Sequence, residues 1–380
     1  MSASSASGRK ARLNRTVNND SSERMKFAGR DRVAIRSALG KWFRRKARPL
    51  PWRKSRDAYA IWVSEVMLQQ TQVTTVMPYY QRFLEAFPTV ADLAHAPLER
   101  VLQLWSGLGY YRRARHLHQA AREVVRRFGG AIPQDYEQIR LLPGVGDYTA
   151  RAILSIAFDQ PYALLDGNVA RVLSRLAALQ GNLHQPGFRR AVQAELQLLL
   201  APRSPGNFNQ SLMELGQTLC LPRNPQCAAC PVRNWCRGYK SGQPQLYPQP
   251  RPRRAMESHY LAAAILRCGS RVAMVRGLGH GVLDDVWNFP AAFGRSRAEA
   301  LASLRQVLAA FGTPSLTFRD SLLELRHGIT YRSIRVQAYP VEISRTRRQS
   351  GLRWFLISSL REAAISQLAR KIAQQVFCQA

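Results

Sequence analysis

The chain has 380 residues, enough for two domains that each bury a core of their own. Although 46% of it is hydrophobic, no run approaches the roughly 18 unbroken apolar residues of a spanning helix, which argues against a membrane protein. Lys and Arg number 56 against 24 Asp and Glu, a formal charge of +32 spread along the chain; this imbalance predicts a polyanionic partner, the plainer alternative being a basic surface kept for solubility.

Residues 1–28 are rich in Ser, Asn, Arg and Lys, hold little that could pack, and are expected to form a disordered basic arm. Residues 1–56 contain 17 Lys or Arg against 3 Asp or Glu, which suits tracking phosphates without reading sequence. Such a start also resembles a mitochondrial transit peptide but lacks a clear amphipathic face. Over residues 29–238 apolar residues recur at three- and four-residue spacing, as in Val33–Trp42, Ala150–Ala157 and Val169–Leu176. Pro- and Gly-containing turns separate these stretches, which predicts an all-α domain of about ten short helices.

Two acids in this region stand out. Glu65 sits in Ile61–Gln72, a largely apolar helical stretch, where burial is expected to raise its pKa and keep it protonated near neutrality; a solvated residue on a helix face is the alternative. Asp166, in Leu164-Leu165-Asp166-Gly167-Asn168-Val169, precedes a helix expected to begin near Val169 and could be no more than its N-cap. One protonated and one ionised carboxyl is the pairing that glycosidic bond cleavage uses. Between the two acids lies Leu141-Leu142-Pro143-Gly144-Val145-Gly146-Asp147-Tyr148-Thr149-Ala150, where Leu142, Gly144 and Gly146 are expected to turn the backbone against a nucleic-acid phosphate at a helix N-terminus.

The domain ends in Cys220-x6-Cys227-x2-Cys230-x5-Cys236, four of the six cysteines within seventeen residues. This is a soft-metal site rather than a disulfide framework. Zinc and iron–sulfur both use thiolates, and one compact loop with a single short pair fits an iron–sulfur cubane better. Residues 239–258 are rich in Pro and basic residues and read as a linker. Beyond it, residues 259–268, 271–277 and 333–343 read as strands, and residues 298–312 and 361–377 as helices, giving an α+β domain over 259–380.

Together the strings SEVMLQQTQV, LWSGLGYYRRAR, LPGVGDYTA, LLDGNVARVL and C-x6-C-x2-C-x5-C resemble the adenine DNA glycosylase (MutY) family, of the helix–hairpin–helix superfamily that includes endonuclease III. The resemblance implies a mainly α, helix–hairpin–helix glycosylase domain with a [4Fe–4S] cluster on the four cysteines and a Nudix-like C-terminal domain. It also implies removal of adenine mispaired with 8-oxoguanine or guanine in double-stranded DNA. Glu65 would protonate adenine at N7 and assist water, Asp166 would stabilise the sugar cation, and Asn168 and Tyr148 would orient the pair. Trp52 and Arg53 would border the adenine pocket, and Gln70, Leu108 and Tyr110 would fill or wedge the stack beside the extruded base. Bifunctional relatives carry a lysine at position 148; a phenol forms no Schiff base, so a monofunctional enzyme is expected.

In the second domain, Trp287-Asn288-Phe289-Pro290 and Leu325-Arg326-His327 carry the likeness. Many relatives continue Thr-Phe-Ser-His after that His; here Gly328-Ile329-Thr330-Tyr331 follows, and Thr330 keeps the hydroxyl assigned to reading 8-oxoguanine. The domain lacks the glutamate row that holds Mg²⁺, so it is expected to bind without hydrolysing. The expected protein is a monomer without membrane association, cytoplasmic and nucleoid-associated in a bacterium, nuclear or mitochondrial in a eukaryote, with the linker as a place for a repair clamp to dock. A glycosylase of the same superfamily acting on mismatched thymine or oxidised pyrimidine, and a non-catalytic DNA-binding protein, are the alternatives.

Overall fold

A computed structural model describes residues 27–250, 255–278, 283, 286–311, 318, 320–329, 331–346 and 351–377. Almost all of the expected N-terminal arm and Thr330 lie outside these. The chain forms two compact units, one of residues up to 62 with 134–141 and 145–252, the other of residues 63–133, 142–144 and 253–380.

The first unit is helical: α1 (Gly29–Lys46), the N-terminal part of α2 (Ala58–Leu68), α7 (Tyr136–Arg140), α8 (Asp147–Phe158), α9 (Gly167–Ala177), α10 (Pro186–Leu199), α11 (Pro205–Thr218) and α12 (Arg237–Lys240). Its core is the sum of stripes at helical spacing: Ile35 and Leu39 from α1, Val169, Val172, Leu173 and Leu176 from α9, Val192, Leu196 and Leu199 from α10, and Phe208, Leu212 and Leu215 from α11. Pro186 and Pro205 open their helices at the first turn, where a missing N–H costs nothing. The proline-rich stretch after Lys240 is tied down at first, since Tyr247 O accepts from Arg175 Nε at 3.0 Å and Gln249 N donates to Gly181 O at 2.9 Å.

The second unit contains the remainder of α2, α3 (Val73–Ala86), α4 (Val90–His95), α5 (Leu98–Trp105) and α6 (Arg112–Phe128), followed by the C-terminal domain. Thr89 and Asp92 form a reciprocal capping box on α4. The C-terminal sheet has strand order β3 (Trp287–Asn288), β2 (Arg271–Arg276), β1 (Glu257–Cys268), β6 (Arg332–Glu342), β5 (Leu323–Ile329). Off this path β4 (Ala291–Gly294) pairs with β1 and β7 (Leu352–Leu356) with β2. The β1–β6 pair is parallel and the others antiparallel.

Strand β1 explains the two-sided packing. Its continuous apolar run places Leu261, Ala263 and Ile265 in the core shared with α14 (Gln367–Phe377), and Ala262, Ala264 and Leu266 in the core shared with α13 (Arg297–Ala310). The final helix starts at Gln367, six residues later than the spacing suggests, because Ile365 bridges Trp287 and Ser366 Oγ caps the helix by accepting from Ala369 N at 2.9 Å. The same turn meets the helices of its unit: Ser106 Oγ donates to Ile365 O at 2.9 Å and accepts from Arg370 Nη2 at 2.7 Å.

Candidate active site

Asp166 is the N-cap of α9, as the plain reading allowed, and the helix begins at Gly167. The cap occupies only one oxygen. Oδ1 accepts from Val169 N at 2.7 Å, while Oδ2 accepts from Asn168 Nδ2 at 2.9 Å. Asn168 is fixed in turn, its Oδ1 accepting from Arg171 Nη2 at 2.9 Å, and Arg171 donates onward to Gly216 O (2.7 Å) and Cys220 O (2.8 Å). Gly216 makes this possible, because a Cβ there would lie 2.8 Å from Asn168 Cβ. The segment leading to Asp166 is held by fully buried Asn209, which accepts from Leu164 N and donates to Tyr162 O and Ser155 Oγ. The result is a half-buried carboxylate with both oxygens acting as acceptors.

Tyr148 lies in the first turn of α8, and its hydroxyl donates to Met213 Sδ at 3.2 Å. Trp52 is buried in the short turn Pro51–Arg53. Arg53 donates to Glu214 Oε2 at 2.9 Å and Arg48 to Oε1 at 2.7 Å, and the Glu214 side chain is wholly inaccessible. Burial pushes the Glu214 carboxyl up, but the bonds from Arg48 and Arg53 outweigh it and hold the carboxyl below its usual range. The sequence reading missed Glu214, whose i+3 partner Gln217 also bonds Arg48.

Glu65 is 8% exposed in a helix whose residues Ala58–Met67 are buried throughout, which removes the solvated-face alternative. Of the residues expected to wedge the stack, Leu108 is buried while Gln70 and Tyr110 are exposed. In the hairpin, Gly144 takes φ +75° and packs where a Cβ would meet His116 at 2.6 Å, so glycine is required; Gly146 has an ordinary φ of −80° and open space around it. Leu142 is buried and anchors the turn. The first turn of α8 also carries Asp147, bonded by Arg151 and Tyr136.

The four cysteines line one small cavity with Arg175 and Pro225. Four thiols around a shared cavity suit a multi-iron cluster. Burial pushes the Cys230 thiol up to about 12, and the neighbouring Cys220, Cys236 and Cys227 push the same way, so a thiolate there is favoured by positive charge nearby. Arg175 supplies part of it, donating to Cys220 Sγ at 3.4 Å and to Leu221 O at 2.6 Å. The donor set therefore fits an iron–sulfur cluster.

The pattern of the HhH-GPD superfamily base excision DNA repair protein matches residues 63–197, and that of the iron-sulfur binding domain of endonuclease III matches residues 220–236. A solved thermostable thymine-DNA glycosylase is similar in fold, with a TM-score of 0.50 at 27% identity over 56% of this chain and 98% of that one. The fold, the cysteine loop and these matches thus define a base excision DNA glycosylase with a [4Fe–4S] cluster. The chain is 36% identical to the adenine DNA glycosylase of Rattus norvegicus and 34% to that of Homo sapiens, in each case over 400 residues and 90% of this chain, covering 78% and 73% of those proteins. It belongs to the adenine DNA glycosylase family and acts on DNA in base excision repair. Among the described residues no helix is long and apolar enough to cross a membrane.

Proposed function

We propose that the enzyme excises adenine opposite 8-oxoguanine or guanine in duplex DNA by acid-assisted hydrolysis, without a lyase step. The observation that carries the reading is the Asp166 carboxylate, aimed by Val169 N and Asn168 and presenting acceptor oxygens only. Buried Glu65 gives its proton to adenine N7. The C1′–N9 bond breaks with its electron pair leaving on adenine, and the sugar cation forms against Asp166. Water then adds at C1′ and its proton returns to Glu65, which restores the acid. Trp52 and Arg53 border the adenine, while Gln70, Leu108 and Tyr110 occupy the stack it vacates. Backbone at Leu142, Gly144 and Gly146 follows a phosphate.

Cys220, Cys227, Cys230 and Cys236 would hold the cluster, which would staple the loop that carries Arg223, Arg233 and Arg237. Thr330 contributes a hydroxyl toward 8-oxoguanine. In a bacterial cell such an enzyme works in the cytoplasm, where the chromosome lies.

The test uses duplexes with a single A opposite 8-oxoguanine, A opposite G, T opposite G, or thymine glycol, scored for abasic sites. Abasic sites at the two adenine pairs only are expected; loss of thymine but not adenine would sink the reading. Borohydride should trap no covalent adduct with Tyr148 in place, and trapping would overturn the monofunctional assignment.

A further inference from the structure

Gln70 at φ +57° and Tyr110 at φ +50°, both in the second unit, hold left-handed backbone without being glycine. Both side chains are exposed. Such conformations cost free energy and persist where surroundings over-determine them. One side chain bonds to the chain next to both. Arg113 Nη1 donates to Val66 O at 2.9 Å, to Met67 O at 2.8 Å and to Gln69 O, at the C-terminus of α2 where carbonyls lack helical partners. Its Nη2 donates to Thr71 Oγ1 at 3.1 Å and to Gly109 O at 3.3 Å.

The residues just before Gln70 and just before Tyr110 thus share a single guanidinium, and Thr71 closes the far side of Gln70. The Arg113 plane also lies 5.2 Å from the Tyr110 ring and 5.6 Å from that of Trp105, whose Nε1 donates to Gly109 O. Lysine, with three donors on a compact head, cannot span these five acceptors.

We propose that Arg113 is a positioning residue for base extrusion, locking the loops of Gln70 and Tyr110 together so that both insertion residues enter the duplex as one preformed unit. The inference rests on the wedge role given above to Gln70 and Tyr110. A preformed unit has no loop ordering left to complete at the moment of extrusion, so loss of Arg113 acts on extrusion more than on binding.

The experiment uses the full chain with its cluster, tracked by iron–sulfur absorbance, and a duplex with 2-aminopurine in place of the target adenine, whose fluorescence rises on unstacking. Arg113→Lys and the milder Thr71→Val are compared with Tyr110→Ala. Arg113→Lys is expected to lower the extrusion equilibrium and the single-turnover excision rate by roughly tenfold, with Kd for the duplex changed less than about threefold. Thr71→Val should give a smaller fall in the same direction. Adding Arg113→Lys to Tyr110→Ala should cost less than it does in the parent.

If Tyr110→Ala loses extrusion while both Arg113→Lys and Thr71→Val keep it, the positioning role is overturned and the wedge reading stands. If Tyr110→Ala itself keeps full extrusion, the wedge reading fails and the inference falls with it. Should Arg113→Lys lose the cluster or unfold, the Thr71→Val fluorescence decides.

Discussion

Replacing Asp166 by Ser separates the two roles its carboxylate can play. Oδ1 caps α9 through Val169 N, and because serine ranks with aspartate as an N-cap, stability should change by less than about 0.5 kcal/mol, against about 1 kcal/mol for Asp166→Ala. The other role is charge. An anion about 4 Å from the sugar cation at an effective dielectric near 20 is worth about 4 kcal/mol. At about 1.4 kcal/mol per factor of ten, its loss slows bond cleavage about a thousandfold. Single-turnover excision from a duplex with A opposite 8-oxoguanine, run beside denaturant unfolding, measures both quantities on one preparation. Asp166→Ser should unfold with the parent and cleave about a thousand times more slowly. If it instead cleaves within tenfold of the parent, Asp166 is a cap and the catalytic anion lies elsewhere.

Three further outcomes follow from the same geometry. Gly216→Ala should cost about 1–3 kcal/mol and slow excision, because the new Cβ falls 2.8 Å from Asn168 Cβ and 3.1 Å from its carbonyl oxygen, whereas Gly146→Ala meets open space; equal melting temperatures for the two would refute the packing argument. Glu214, depressed by Arg48 and Arg53 against its burial, contributes stability that is complete above the unfolded glutamate value of about 4.3 and is lost as pH falls through the lower folded value. Urea unfolding between pH 6 and 3 should therefore show a steeper acid loss for the parent than for Glu214→Gln, and identical slopes would remove the ion pair from the account. Arg175→Met deletes the donors to Cys220 Sγ, Leu221 O, Pro222 O and Tyr247 O; iron–sulfur absorbance should decay faster under a chelator, and an unchanged decay would show that the loop holds its shape without the guanidinium.

The helices and strands were legible because their apolar spacing answers to burial on one face, or on both for β1. The late start of the last helix was not, since it depends on Ile365 pairing with Trp287, far away in sequence. At the site, Asp166 and Glu65 could be picked out by residue type and setting, and burial of Glu65 follows from its apolar neighbours. Asn168 was placed beside Asp166 by resemblance, but the tie beyond it, through Arg171 to Cys220 O, depends on α9 and α11 approaching at Gly216. Helical spacing from Asn168 to Arg171 and Arg175 was the available hint. Gly146 had looked like a second turning residue, yet only Gly144 adopts the left-handed backbone, because the turn reverses once.

The charge excess itself carries two meanings. A share of the arginines point into the protein, at the ends of helices, rather than toward a polyanion. Arg36 donates to Leu198 O and Leu199 O, Arg113 to Val66 O, Met67 O and Gln69 O, and Arg171 to Gly216 O and Cys220 O. The last carbonyls of a helix have no partner within it and carry its negative end; a planar guanidinium with five donors satisfies several at once, where lysine meets fewer and is more costly to dehydrate. Short helices multiply such ends, so an all-α domain built of them consumes cations internally. The surface charge available to DNA is therefore smaller than the formal count, and the salt dependence of DNA binding should report fewer phosphate contacts than that count suggests.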